Sequence, residues 1–354
     1  MTSKEKIIKD FEDNKSKLED FCKKIHALID ELLRNSSTYP HQITSRIKQK
    51  EKLDEKIDRK KDKYQKLFDI TDLVGIRIIT YLESEVDDIA KIIESEFLID
   101  NINSIDKRIL EIDRFGYRSL HYVIEFDSSR CELSEYKRYK SLKAEIQIRS
   151  ILQHAWAEIE HDIGYKGEIE IPDFAKRRFN RIAALLETAD SEFIHLKDSL
   201  EEYQSSLPQK LTNTPKEVKL DKASLTEFIN SDKLIDKLND EISNLTGIKC
   251  NNEIGNLNQV LLRMKFFNIS SIDDLKSKLI TYQDKIPVFV NKFIDMSVIS
   301  EQEGYSKDWS IFYLGYILSA QNNDSNEIIA FLKNVFPNHS NYSELSNRIL
   351  SANL

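Results

Sequence analysis

LKAEIQIRS, residues 142–150, alternates apolar with polar side chains along its whole length. In an extended strand Ala144, Ile146 and Ile148 share one face, while Glu145, Gln147 and Arg149 share the other. Two readings fit: an antiparallel strand with one wet face, or a buried strand whose acid, amide and guanidinium meet a ligand. The flanking sequence favours the second.

Upstream, DLVGIRIITYL at 72–82 is rich in Val and Ile and predicts a buried strand, followed by an amphipathic helix over 86–97. RSLHYVIEF at 118–126 predicts another strand, and ILQHAWAEIEHDIGY after residue 150 returns to helical spacing. The order is strand, helix, strand, strand, helix.

Further out, Ile7, Ile8, Phe11, Leu18, Phe21, Ile25, Leu28, Ile29 and Leu32 recur at helical spacing and predict one or two surface helices over 5–34. A turn-rich break at 35–40 leads into 43–63, where sparse apolar residues and dense Lys and Arg predict a partly buried helix with a basic face. Residues 173–203 predict a long helix through Phe174, Phe179, Ile182, Leu185, Leu186, Ala189, Phe193 and Leu196. Pro208, Pro215 and the Ser, Thr and Asn around them predict a linker over 206–220. It separates a first domain, 1–205, from a helical accessory or regulatory domain, 221–354. In the latter Phe266, Phe267, Trp309, Phe312, Tyr313 and Tyr316 read as packing core, since aromatics at helical spacing usually point inward.

The chain has 354 residues, 40% hydrophobic and 32% charged, a balance that supports folded domains. No apolar run approaches the roughly 18 to 20 residues that span a bilayer, and the N-terminus lacks a signal-peptide core, so no membrane partner and a cytoplasmic location are expected. Cys22, Cys131 and Cys250 are odd in number and far apart, which excludes a disulfide framework or a CxxC metal knuckle. The net charge of −8 argues against a surface that grips nucleic acid throughout. Between 46 and 63, however, nine Lys or Arg face five acids, a local cationic cluster.

Asp72 opens the first strand, where a carboxylate can project from a rigid edge, although a turn or cap role fits its position too. Asp72 and Glu145 could share a Mg2+ ion, which takes oxygen ligands and usually one or two carboxylates plus substrate phosphates. In FGYRSLHY, extended backbone puts Tyr117, Ser119 and His121 on one face; the tyrosine can stack on a base, with His121 and Arg118 near phosphate. On the following helix His154, Glu158, His161 and Tyr165 form one polar stripe opposite Ile151, Ala155 and Ile159. A hydrogen-bonded stripe over the site accounts for it better than a zinc centre. No GxxxxGK[ST] loop occurs, which excludes an ordinary P-loop enzyme.

Taken in order, SRIKQKEKLDEKIDRK, DLVGIRI, GYRSLHY and EIQIRSILQHAWAEIEHDIGYK resemble the synthetase domain of the RelA/SpoT alarmone synthetases, over roughly residues 40–200. The resemblance implies an α+β fold, a mixed β-sheet flanked by helices and nucleotidyltransferase-like, followed here by an all-α C-terminal domain. It implies transfer of the β,γ-pyrophosphate of ATP to the ribose 3′-hydroxyl of GDP or GTP, making (p)ppGpp. Asp72 then corresponds to the Mg2+ ligand and Glu145 to the acid that assists the metal and helps deprotonate the hydroxyl. Tyr117 corresponds to the aromatic that stacks on the acceptor base, His121 lies near the acceptor, and Arg46, Lys48 and Lys56 match basic positions around ATP. Arg77, Arg118, Ser119, Gln147, Arg149, His154 and His161 complete the expected substrate-binding set.

Two departures matter. The family's Pro-Lys-x-Asn before GY, whose Asn touches guanine, is replaced by Ile112, Asp113, Arg114 and Phe115. That leaves Arg108, Arg114 and Arg118 to supply positive charge. Only about 40 residues stand ahead of the resemblance, so the hydrolase domain of long family members is expected to be missing and a restraint on synthesis is expected from the C-terminal domain. Alternatives therefore stay open: a toxin that pyrophosphorylates the tRNA 3′ CCA end and is held in check by that domain, with a protein trigger such as a phage component, or an inactive nucleotide-sensing module. A homo-oligomer is also left open.

Overall fold

The computed structural model describes residues 3–36, 38–60, 63–108, 119–164, 172–294 and 304–353. The chain divides into two compact units, residues 1–198 and 199–354.

In the first unit the segment expected as one or two helices forms a single helix, α1 (Ser3–Asn35). Ile7, Phe11, Leu18, Phe21, Ile25, Ile29 and Leu33 recur every three or four residues and are all buried, so one apolar stripe runs its full length. The stripe packs on β1 (Gln42–Ile47) and β2 (Val74–Thr80). Between these strands lies α2 (Lys50–Arg59). The helix expected over 43–63 is thus a strand followed by a helix. Ile43 to Ile47 pair antiparallel with Ile78 to Val74, and this edge strand is only half-buried, so its two isoleucines give a weak apolar signal inside a charged segment.

α3 (Ser84–Glu96) follows β2, then the two-residue strands β3 (Leu98–Ile99) and β4 (Ile105–Asp106), then β5 (Leu120–Glu125) and β6 (Ala144–Ser150). The sheet order is β1-β2-β6-β5-β3, with β4 also pairing with β5. β2 and β6 are parallel and every other pair is antiparallel, which makes the sheet mixed. Val74, Ile76 and Ile78 of β2 and Ala144, Ile146 and Ile148 of β6 point into one core with α1 and α3. The alternation read from 142–150 therefore holds, and it turns Glu145 and Gln147 to the opposite face.

β6 runs directly into α4 (Ile151–Gly164), and α5 covers Asp173–Asn213. The apolar stripe expected on α4 is not buried: Ile159 is 53% exposed, and Gln153 and Trp156 form the packed side instead. They meet Ala183, Leu186 and Asp190 of α5, with Ser150 Oγ hydrogen-bonded to the buried Asp190 carboxylate. No helix among the described residues is long and apolar enough to cross a membrane.

The second unit is all-helical beyond α5: α6 (Lys222–Ser231), α7 (Lys233–Thr246), α8 (Leu257–Phe266), α9 (Ile272–Thr281), α10 (Lys285–Phe293), α11 (Trp309–Ser319), α12 (Ser325–Val335) and α13 (Tyr342–Asn353). Asp221, Asp232, Asn256, Ser271 and Asp324 each cap a helix by accepting from its first turn, which explains how so many short helices start cleanly. Residues 206–220, expected as an irregular linker, carry the last turns of α5 and then a bridge from Lys219 to Ser271. Leu207 and Val218 are buried in this unit's core, so packing outweighs the local bias of Pro208 and Pro215. Tyr313 and Tyr316 are core residues, with Phe267, Trp309 and Phe312 packed against them; Phe266 sits at the margin, 37% exposed.

Candidate active site

The strand register gathers the expected residues on the polar face of the sheet. Arg46 pairs with Gly75, Gly75 with Glu145, Arg77 with Gln147, and Gln147 with His121. Because cross-strand partners share a face, Arg46, Arg77, Glu145, Gln147 and His121 all project the same way. Thr44, Arg46, Gly75, Arg77 and Gln147 line a depression between β1, β2 and β6.

Asp72 lies in the turn before β2, three residues ahead of Gly75. Its Oδ2 is 2.9 Å from Nζ of Lys48 and 2.6 Å from Nζ of Lys56. β1 and α2 deliver those lysines, and Lys48 is fixed further by its backbone N–H donating to the Leu73 carbonyl. Burial opposes ionisation of Asp72, but the two ammonium groups outweigh it and hold the carboxyl below the usual range. Its Oδ1 is buried and has no hydrogen-bond partner among the described residues.

Glu145 is bound at both oxygens. Oε1 is 3.0 Å from Nδ1 of His121, and Oε2 accepts from Nε2 of Gln147 at 3.3 Å. An ionised carboxylate can only accept, so Nδ1 of His121 carries the proton in this pair. Burial pushes the Glu145 pKa up, His121 pulls it down, and the Asp72 charge pushes it up again; the balance lies below the ordinary value. The Asp72 charge thus acts on Glu145.

An unpartnered buried oxygen on Asp72, beside a second carboxylate and two lysines, fits a divalent cation that takes its remaining ligands from phosphates and water. No cluster of three or more His, Cys, Asp or Glu suited to a metal occurs among the described residues, which excludes a closed protein cage there.

Arg77, Arg149 and His154 converge on a residue absent from the expected binding set, Glu158. The only sequence signal for it was its place four residues after His154. His154 Nδ1 is buried without a hydrogen bond, and burial together with Arg149 and Arg77 lowers its pKa, so its 3.6 Å approach to Glu158 is that of a neutral ring. His161 lies on the exposed side of α4. Ser119 is fully buried, its Oγ without a partner among the described residues. Tyr117, Arg118, Arg114 and Tyr165 lie outside the described residues.

Two expectations change. Arg108, a candidate to replace missing positive charge, is held by Asp106 at 2.8 Å and Asp87 at 2.6 Å, so its charge is compensated. The basic cluster is also partly neutralised, with Lys50 on Glu12 and Lys52 on Glu55, leaving Lys48 and Lys56 as the pair that faces the site.

Residues 45–170 match the family described as the region found in RelA / SpoT proteins. It is 31% identical over 141 residues to the GTP pyrophosphokinase YjbM of Bacillus subtilis (strain 168), covering 39% of this chain and 63% of that protein. It is 28% identical over 139 residues to the GTP pyrophosphokinase YwaC of the same organism, covering 37% and 60%. The chain thus spans a little over three fifths of the curated relatives it matches. Among solved structures, small alarmone synthetase 1 from Bacillus subtilis superposes with a TM-score of 0.47 at 22% identity, covering 55% of this chain and 98% of that one.

Proposed function

We propose that the first unit transfers the β,γ-pyrophosphate of ATP to the 3′-hydroxyl of GDP or GTP, breaking the bond between the bridging oxygen and the β-phosphorus and releasing AMP. The observation that carries the reading is Asp72, whose one oxygen is held by Lys48 and Lys56 while the other is buried without a partner beside Glu145. Transfer of this kind needs charge neutralisation and alignment more than covalent chemistry. Mg2+ bound by Asp72 and Glu145 would neutralise charge on the triphosphate. The chain's own residues do the rest. Lys48 and Lys56, which hold Asp72, would supply positive charge to the donor's phosphate oxygens, and Arg46 with Arg77 flanks the depression that would receive the donor. Glu145 accepts the hydroxyl proton, with His121 and Gln147 fixing its orientation.

The replacement of the family's Pro-Lys-x-Asn by Ile112, Asp113, Arg114 and Phe115 favours a second reading, with the tRNA 3′ end as acceptor and the second unit as restraint. Incubation with γ-labelled ATP and, separately, GDP, GTP and bulk tRNA decides between them. Label on a guanine nucleotide is expected. Label on tRNA alone supports the toxin, and label nowhere overturns both.

A further inference from the structure

α5 carries an apolar seam that is only partly used. Phe179, Ile182, Leu186, Ala189, Phe193 and Leu196 follow one another at alternating steps of three and four residues, and the alternation runs on through Leu200, Tyr203 and Leu207. The spacing is a heptad repeat with both seam positions apolar, sustained over four repeats, and it marks a helix suited to lie along another helix. At its C-terminal end the seam is covered, with Leu207 buried in the core of the second unit and Tyr203 packed against it. Before that it lies open: Ile182, Phe193, Leu196 and Leu200 are each 49% to 55% exposed.

Charge of opposite sign stands at the two ends of the open stretch. Residues 173–181 hold Lys176, Arg177, Arg178 and Arg181 against Asp173, a net of +3; residues 192–202 hold Glu192, Asp198, Glu201 and Glu202 against Lys197, a net of −3 with His195 neutral. All of these side chains are exposed. The centres of the two clusters lie about 30 Å apart along the helix. That is well beyond the Debye length of about 8 Å at physiological salt, so the clusters do not neutralise one another within one helix. A second α5 laid antiparallel brings each basic end to the other's acidic end, whereas a parallel one stacks like on like.

We propose that the open seam of α5 docks a second copy of this chain, the two helices antiparallel about a twofold axis near the middle of the stretch. Ala189, the small residue of the seam, leaves room there for the bulky Phe193 of the other copy. A twofold contact of this kind uses the same patch on both copies, so association closes at two chains rather than growing into a filament. The apolar seam supplies the affinity and the charged ends choose the direction. None of this depends on the reaction proposed for the first unit.

Sedimentation of the full chain at roughly 50 µM, enough to populate a dimer of micromolar affinity, tests this, and twice the chain mass is expected. Leu196→Asp puts a charge on the seam at a half-exposed position that the fold tolerates. It should raise the dissociation constant by about 100-fold and return the mass to that of one chain. Phe193→Asp is a second variant of the same kind, should the first fail to fold. Direction is read by reversing both clusters in one chain, with Lys176→Glu, Arg178→Glu and Arg181→Glu joined to Asp198→Lys, Glu201→Lys and Glu202→Lys. An antiparallel pair of reversed chains stays complementary, so this variant should dimerise with itself and refuse fluorescently labelled wild type; parallel helices give the opposite pattern. Three results overturn the proposal: a single-chain mass for wild type, which leaves the seam to a helix of another protein; a dimer that Leu196→Asp and Phe193→Asp both leave intact; and a reversed chain that prefers wild type to itself.

Discussion

Asp72 holds Lys56 at 2.6 Å through one carboxylate oxygen while its other oxygen is buried and meets no donor among the described residues. One side of the group is neutralised by lysine, and the other is the side that would hold a cation. Asp72→Asn keeps the shape and removes that valence. Pyrophosphate transfer should fall by on the order of 10²- to 10³-fold, and Glu145→Gln should do the same. Circular dichroism should remain that of the wild type. Retention of the rate in either variant would falsify the shared-cation site.

Acid should reveal the Asp72 ion pairs. A carboxyl whose folded pKa is depressed stabilises the fold fully above its unfolded value near 4 and loses that contribution as pH falls through the lower, folded value. Urea denaturation at pH 7 should therefore separate wild type from Asp72→Asn, and the separation should shrink by pH 3. A gap that stays constant across this range would mean that Lys48 and Lys56 do not hold the carboxylate in solution.

His121 should tune Glu145. Burial and the Asp72 charge both push the Glu145 pKa up, and the His121 hydrogen bond opposes them. Without the imidazole, in His121→Ala, the acid limb of the kcat/KM profile should move to higher pH. An unmoved limb would show that another group sets it.

In the second unit, Arg263 is fully buried with no carboxylate partner among the described residues. Its guanidinium lies 3.5 Å from the Phe312 ring centre and 4.4 Å from that of Tyr316, and it donates to the Phe312 carbonyl at 3.2 Å. Arg263→Ala should destabilise this unit by about 3 kcal/mol, because a large cavity opens between the rings. Arg263→Met should cost less, since it refills most of the space and relieves a desolvated charge. Chemical denaturation of both variants checks the order, and equal losses would count against packing as the cause.

Much of this was legible before any coordinates. Alternation at Ala144, Ile146 and Ile148 identified a strand with one polar side, and the Val and Ile of 74–79 identified its neighbour. The edge strand at Gln42–Ile47 was hidden because an edge needs little apolar surface, and its charges look the same in either conformation. Residues 206–213 misled for the opposite reason: Pro208 is a strong local signal, and the burial of Leu207 that overrides it is a long-range one. Glu158 was visible as part of the polar stripe, but its partners were not, because Arg77 lies 81 positions away in the chain and faces it only once β2 and β6 pair. The role of Arg108 failed similarly, through an acid, Asp87, contributed by a separate helix.

The order β1-β2-β6-β5-β3 puts the last strand made into the middle of the sheet. Until residue 150 clears the ribosome, β2 and β5 have no common neighbour, and Glu145 and Arg149 have no frame to hold them. A nascent chain therefore cannot assemble the polar face of the sheet until β6 has been made, whatever the earlier strands have already formed.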